Sequence, residues 1–218
     1  MELFSIDFLT ALLAIIAIDL VLAGDNAIVI GLAARNLPKE QQKRVIWWGS
    51  FGAIGIRTLM TICVVWLLKI PGLLAIGGIL LIWIAFKLFI DDSNHGNLSV
   101  APGMWAAIRT ILIADTIMGI DNVIAVAGAA HGSFLLVILG LLISVPIVVW
   151  GSTLFIQWTE KYPWIIEIGA AILAWTAAKM LISEQLLQPI FQNNTLIMWS
   201  FEIIVVLGVI IAGRLYKK

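Results

Sequence analysis

The chain has 218 residues, 62% of them hydrophobic, with a mean hydropathy of +1.09 and a formal net charge of zero. Soluble domains draw only about half of their residues from the apolar set, so this composition excludes an ordinary soluble protein, and a balanced charge gives no footing for a nucleic-acid partner. The single cysteine, Cys63, excludes an intrachain disulfide and a cysteine-built metal or redox centre.

The N-terminus, MELFSIDFLT, has acidic residues and no Lys or Arg. It therefore lacks the basic start of a signal peptide, and the first hydrophobic run is expected to be retained. Cutting the chain into apolar stretches of about 17–25 residues predicts an all-α membrane protein. Its seven transmembrane helices fall at about 6–33, 45–68, 72–90, 105–130, 134–158, 164–182 and 196–214. The first helix carries DLVLAGDN, with Asp19, Asp25 and Asn26, and Asp7 at its outer mouth. The second carries Arg57 near its middle, in GAIGIRTLM, and Cys63 in a run where packing is its expected role. Lys87 stands near the end of the third, and residues 91–104, DDSNHGNLSVAPGM, read as a solvated loop. The fourth helix carries DTIMGIDN, with Asp115, Asp121 and Asn122. Glu167 lies one turn into the sixth helix, Lys179 near its end, and Glu202 a similar depth into the seventh. The two lysines are expected to snorkel, the two glutamates to sit near an interface, and the ten tryptophans suit interfacial anchoring. Residues 1–218 form one transmembrane domain.

The chain repeats itself. Pro71, Gly77, Trp83, Ala85 and Lys87 return as Pro163, Gly169, Trp175, Ala177 and Lys179 at a constant offset of 92, while the Asp motifs are offset by 96. The difference of four is explained by a longer first interhelix loop, NLPKEQQKR, than its counterpart around His131 and Gly132. Residues of about 6–90 and 105–182 thus read as one three-helix unit duplicated, with the helix at 196–214 added. An odd number of helices per unit forces the copies into opposite membrane orientations. Such inverted repeats are typical of secondary transporters, which bind substrate at the repeat interface near the midplane. Arg35, Lys39, Lys43, Arg44, Arg109, Lys161, Arg214, Lys217 and Lys218 share one side, against Lys69 on the other. The positive-inside rule then places the N-terminus outside and the C-terminus in the cytoplasm.

Charges at membrane depth cost at least about 2.5–3.5 kcal/mol each. Four carboxylates in two matched sets therefore point to a shared cation site, since hydrogen bonding between helices does not keep four of them ionised. Asp19 and Asn26, seven residues apart, share a helical face, whereas Asp25 is about 120° off it. All three converge if the helix loosens at Gly24, which would also free backbone carbonyls as ligands, and Gly119 offers the same in the second copy. With His95 and His131 in loops and Met118 expected to pack, the donors are all oxygen. That favours a hard divalent cation such as Mg²⁺, Ca²⁺ or Mn²⁺. Arg57 has no charged counterpart in the second repeat, where the offset gives Val149. An Arg stays protonated and needs a partner at that depth, so it is expected to act as counter-charge to a motif carboxylate or to hold the site when the ion has left.

These paired motifs, Asp19 to Asn26 and Asp115 to Asn122, resemble those of the TerC family of bacterial integral membrane proteins. The seven-helix count and the duplication resemble it too, over essentially the whole chain. Thr116 and Met118 differ from Leu20 and Leu22 of the first copy, but the polar positions are intact. The family is associated with Mn²⁺ efflux and belongs to the LysE-type transporter superfamily. The resemblance implies a manganese exporter of the bacterial cytoplasmic (inner) membrane. It carries over Asp19, Asp25, Asn26, Asp115, Asp121 and Asn122 as metal-binding positions, with Mn²⁺ as substrate and no cofactor. Alternating access is the expected mechanism, with protons as the natural exchange partner. Transport of Ca²⁺ or a small solute such as an amino acid is an alternative. So is a non-transporting membrane factor that assists assembly or metalation of exported proteins. Beside the lipid bilayer and the metal ion, a second copy or another membrane protein is an open partner. An enzyme is not expected, because no nucleophile-base pair or phosphate-binding loop is present.

Overall fold

The structure, a computed structural model, describes residues 5–67, 70–90, 103–130, 133–191 and 194–217, without the side chains of residues 7, 20–23, 64–67, 121, 124, 125, 127, 128 and 134. The expected loop from 91 to 102, His95, His131 and the side chains of Asp7 and Asp121 lie outside the described residues.

Among the described residues every regular element is helical: α1 (Ile6–Ala34), α2 (Lys39–Leu67), α3 (Leu73–Ile90), α4 (Met104–Ala130), α5 (Phe134–Lys161), α6 (Trp164–Ser183), the single turn α7 (Gln188–Phe191) and α8 (Thr195–Tyr216). The seven long helices follow the seven apolar runs. The largest boundary difference is at α2, which starts at Lys39 rather than 45. The polar stretch KEQQKR continues the helix beyond the apolar run, since hydrophobicity marks bilayer depth while helicity needs only good helix formers. Ser5 starts α1 by accepting from Phe8 N at 3.1 Å, and Asn194 starts α8 by accepting from Ile197 N at 3.4 Å. Gln42 closes the turn between α1 and α2 by donating to the carbonyls of Arg35 and Leu37 at 3.0 and 2.9 Å.

Five helices are long and apolar enough to cross a bilayer: α2 over Lys39–Cys63, α3, α5 over Leu135–Lys161, α6 and α8. The bent α1 makes a sixth if its segments Phe8–Asp19 and Gly24–Ala34 form one span. Exposed tryptophans such as Trp47, Trp105, Trp150, Trp164 and Trp199 cover the outside of the bundle, as suits anchoring in lipid.

The principal contacts run between the halves of the chain. Helix α1 packs most extensively on α5, α2 on α4 and α3 on α6, α1 and α4 face each other, and α8 lies against α6 and α3. This set of pairings is unchanged when α1–α3 are exchanged for α4–α6. Small residues permit the close crossings, as is general between helices in lipid. A Cβ on Gly78 of α3 would lie 2.8 Å from Leu181 Cγ and 2.9 Å from the Ala177 carbonyl oxygen of α6. The core where these helices meet includes Val29, Leu81, Ile111, Leu173, Ala174 and Ala177.

Glu184, just past the end of α6, fastens the same seam from below. Its buried carboxylate accepts from the backbone N–H groups of Gly72, Leu74 and Ala75 at 2.9, 3.0 and 3.2 Å. These are unpaired donors of the first turn of α3. Gly72 makes the approach with φ +83°, a conformation that costs glycine nothing.

Candidate functional site

Asp19 of α1 and Asp115 of α4 are 3% and 4% exposed, and both meet a guanidinium from α2. Arg57 Nη1 donates to Asp19 Oδ1 and Nη2 to Asp115 Oδ1, each at 2.5 Å. The guanidinium fork lets one cation bridge carboxylates from two helices, which an ammonium on a flexible stem does poorly. All three groups are buried, so each depends on the others; removing one partner of such a cluster costs about 3–5 kcal/mol. Gly119 of α4 flanks the bridge, and a Cβ there would stand 3.7 Å from Arg57 Cγ, an ordinary contact. Thr61 anchors the same turn of α2, its hydroxyl donating to the Arg57 carbonyl at 2.8 Å.

Beside the bridge lies a cavity of about 30 Å³ between α1, α2, α4 and α5, whose polar lining is Asp19, Asn26, Ser50, Arg57, Asp115 and Ser144. A single water needs about 10–15 Å³ by this measure, so a water or a small dehydrated ion fits. Asp115 Oδ2, Ser50 Oγ and Arg57 Nε are buried there without a hydrogen-bond partner. Ser144 donates to the Gly140 carbonyl at 3.0 Å and lines the same cavity as Asp19.

The predicted residues divide by helical face. Asp19 and Asn26, seven apart, both line the cavity. Asp25 does not. It is partly buried, and its Oδ1 accepts from Asn26 N at 2.9 Å. Asn122 is buried on α4 but is not part of the cavity lining. In place of the expected loosening at Gly24, α1 is helical without interruption from Ile6 to Ala34 and bends by 48° between its segments Phe8–Asp19 and Gly24–Ala34. Among the described residues no three Asp, Glu, His or Cys side chains form a ready metal cage; two acids face each other and Arg57 stands between them.

The other charges on these helices are used elsewhere. Glu167 pairs with Arg214 in a two-pronged contact at 2.5 and 3.2 Å, and Glu202 accepts from Trp175 Nε1 at 2.8 Å. Both fix α8 to α6. The ammonium of Lys87 sits 5.1 Å from the centre of the Trp83 ring, and that of Lys179 sits 3.9 Å from that of Trp175. The repeated Trp-x-Ala-x-Lys thus builds the same cation–π pair twice. Sequence reasoning passed over Ser50, Ser144 and Glu184.

Long apolar helices closing around a buried charged cluster define a polytopic integral membrane protein. The chain belongs to the integral membrane protein TerC family, whose model matches residues 4–218. It is 41% identical over 212 residues to the uncharacterized membrane protein YjbE of Bacillus subtilis, covering 97% of each chain. It is 23% identical over 190 residues to the uncharacterized membrane protein YkoY of the same organism, covering 78% of this chain and 58% of that one. To the UPF0053 inner membrane protein YgdQ of Escherichia coli K12 it is 25% identical over 174 residues, 72% of this chain and 73% of the relative. No solved structure matches the chain.

Proposed function

We propose that this protein is a transporter of the bacterial cytoplasmic membrane that exports a divalent metal cation, Mn²⁺ by family resemblance, through a carboxylate site between two inverted repeats. The observation that carries this reading is the pair of buried carboxylates, Asp19 and Asp115, presented to each other by corresponding positions of the two halves. In this reading all seven long helices cross the membrane, α1–α3 and α4–α6 are the repeats, and the N-terminus is outside. The exchange symmetry of the helix pairings supports a pseudo-two-fold axis through the site. Oxygen donors from Asp19, Asp115, Asn26, Ser50 and Ser144 suit a hard cation, with Asp25, Asp121 and Asn122 completing the motif set. Alternating access follows from rocking of one repeat against the other. Export against an inside-negative potential costs about 2.3 kcal/mol per charge per 100 mV, twice that for a divalent ion, and inward protons offset it.

The test is Mn²⁺ flux in proteoliposomes, beside Asp19→Asn, Asp115→Asn and an Asp25→Asn, Asp121→Asn double variant, with Mg²⁺ and Ca²⁺ as competitors. Flux that needs these carboxylates and resists excess Mg²⁺ is the expected result. Folded protein without flux would refute transport and favour a role in assembly. A pH gradient that neither drives Mn²⁺ nor is dissipated by it would remove the protons from the scheme.

A further inference from the structure

We infer that Arg57 is a tethered substitute for the transported cation: its guanidinium holds Asp19 and Asp115 between transport events and must swing away for a divalent ion to bind. The inference rests on the ion-site reading above and specifies how that site is regulated.

Four observations carry it. First, the carboxylate oxygens facing the centre are already engaged, Asp19 Oδ1 and Asp115 Oδ1 each at 2.5 Å from the guanidinium. A metal ion and the fork cannot share those atoms, because two cations would then lie within a few ångströms in a medium that screens poorly. Second, the cavity offers unengaged oxygens while Arg57 is in place. Asp115 Oδ2 and Ser50 Oγ are buried and unpartnered against the cavity of about 30 Å³, so one carboxylate oxygen and one hydroxyl stay open to an ion. Third, a further carboxylate lies on the neighbouring face of α1: Asp25, whose Oδ1 accepts from Asn26 N at 2.9 Å rather than from Arg57. Fourth, Gly119 leaves the flank of the Arg57 stem free of side-chain bulk, with 3.7 Å from Arg57 Cγ to a Cβ built there.

The charge count gives the exchange its purpose. Without Arg57, Asp19 and Asp115 would face each other as two buried like charges whenever the ion left, holding the halves apart or trapping the ion. With it, the site closes around an internal cation and the halves can reorient. The cost is affinity: the ion binds only the fraction of molecules in which the fork has swung away.

The experiment is a Mn²⁺ titration of the purified full chain, read by loss of the free-ion paramagnetic resonance signal, for wild type, Arg57→Ala and Arg57→Lys. Arg57→Ala should bind Mn²⁺ about tenfold tighter or more, and Arg57→Lys should fall between, since an ammonium bridges the two carboxylates poorly. Millimolar guanidinium ion should weaken binding by Arg57→Ala back toward wild type and leave wild type unchanged. In proteoliposomes Arg57→Ala should retain Mn²⁺/Mn²⁺ exchange and lose net efflux. If Arg57→Ala does not fold, Arg57→Lys decides. A folded variant that binds no tighter than wild type overturns the tether while leaving the ion site standing. Wild type and variants that all fail to bind Mn²⁺ overturn the manganese site and the tether together.

Discussion

Glu184 titrates in a setting that ties pH to the seam between α3 and α6. Burial pushes its carboxyl up, but the backbone N–H groups of Gly72, Ala75, Leu186 and Leu74 outweigh that and hold it below the usual value of 4.5. A group whose folded pKa is depressed contributes stability above its unfolded pKa and loses it as pH falls through the folded one. Thermal stability in detergent should therefore begin to drop below about pH 4.5, and Glu184→Gln should be less stable at neutral pH with that part of the pH dependence gone. Loss of a helix cap of this type costs about 1 kcal/mol. At Gly119 the expectation is steric. Gly119→Ala should fold and bind Mn²⁺, because its Cβ meets only ordinary contacts at 3.7 Å, whereas Gly119→Leu should displace Arg57 and change Mn²⁺ affinity in the same titration. Not every residue here was readable from sequence. Asp19, Asp115 and Arg57 were, because ionisable groups at bilayer depth stand out against an apolar background. Ser50 and Ser144 were not, since a helical serine normally bonds its own preceding turn, as Ser144 does with Gly140. Glu184 was not, because its partners lie 109 to 112 residues away.

Between elements, the crossings set the tolerances. On α3, Gly78 faces the backbone of α6, so Gly78→Ala forces a shift that side-chain adjustment cannot absorb and should cost about 1–3 kcal/mol. On α8, a Cβ at Gly208 would meet nothing within 4 Å. Gly208→Ala should be neutral or stabilise by up to about 1 kcal/mol from helix propensity, and melting the two variants side by side checks both. Helix α8 is clamped at two levels, by Glu167–Arg214 and by Trp175–Glu202. The first pair is solvent-facing and should contribute less than about 1 kcal/mol. The elements themselves were legible to within a few residues because bilayer thickness dictates the length of an apolar run. What hydropathy alone did not reveal was the polar first turn of α2, the one-turn α7 and the bend in α1. The spacing of seven placed Asp19 and Asn26 on one face and left Asp25 off it, as the cavity lining has it.

Across the whole molecule, the proposed topology makes opposite predictions for successive loops. In a Cys63→Ser background, cysteines at Pro38 and Tyr216 should react with a membrane-impermeant thiol reagent from the cytoplasm, and one at Gln188 from outside. All three positions are exposed. The reverse pattern would invert the orientation. The recurring motifs were visible in the sequence at offsets of 92 and 96, but the interleaving of the halves was not, since α1 against α5 and α2 against α4 are choices made across the bundle. That interleaving bears on how the chain is made. Synthesis runs from the N-terminus, so α1 reaches the bilayer with Asp19 long before α4 and α5 exist. Arg57 arrives with the very next helix and can neutralise Asp19 within a hairpin, and Asp115 joins later to convert a pair into a bridge. A ribosome halted between α3 and α4 would thus leave a neutralised hairpin whose apolar seams still await the second half.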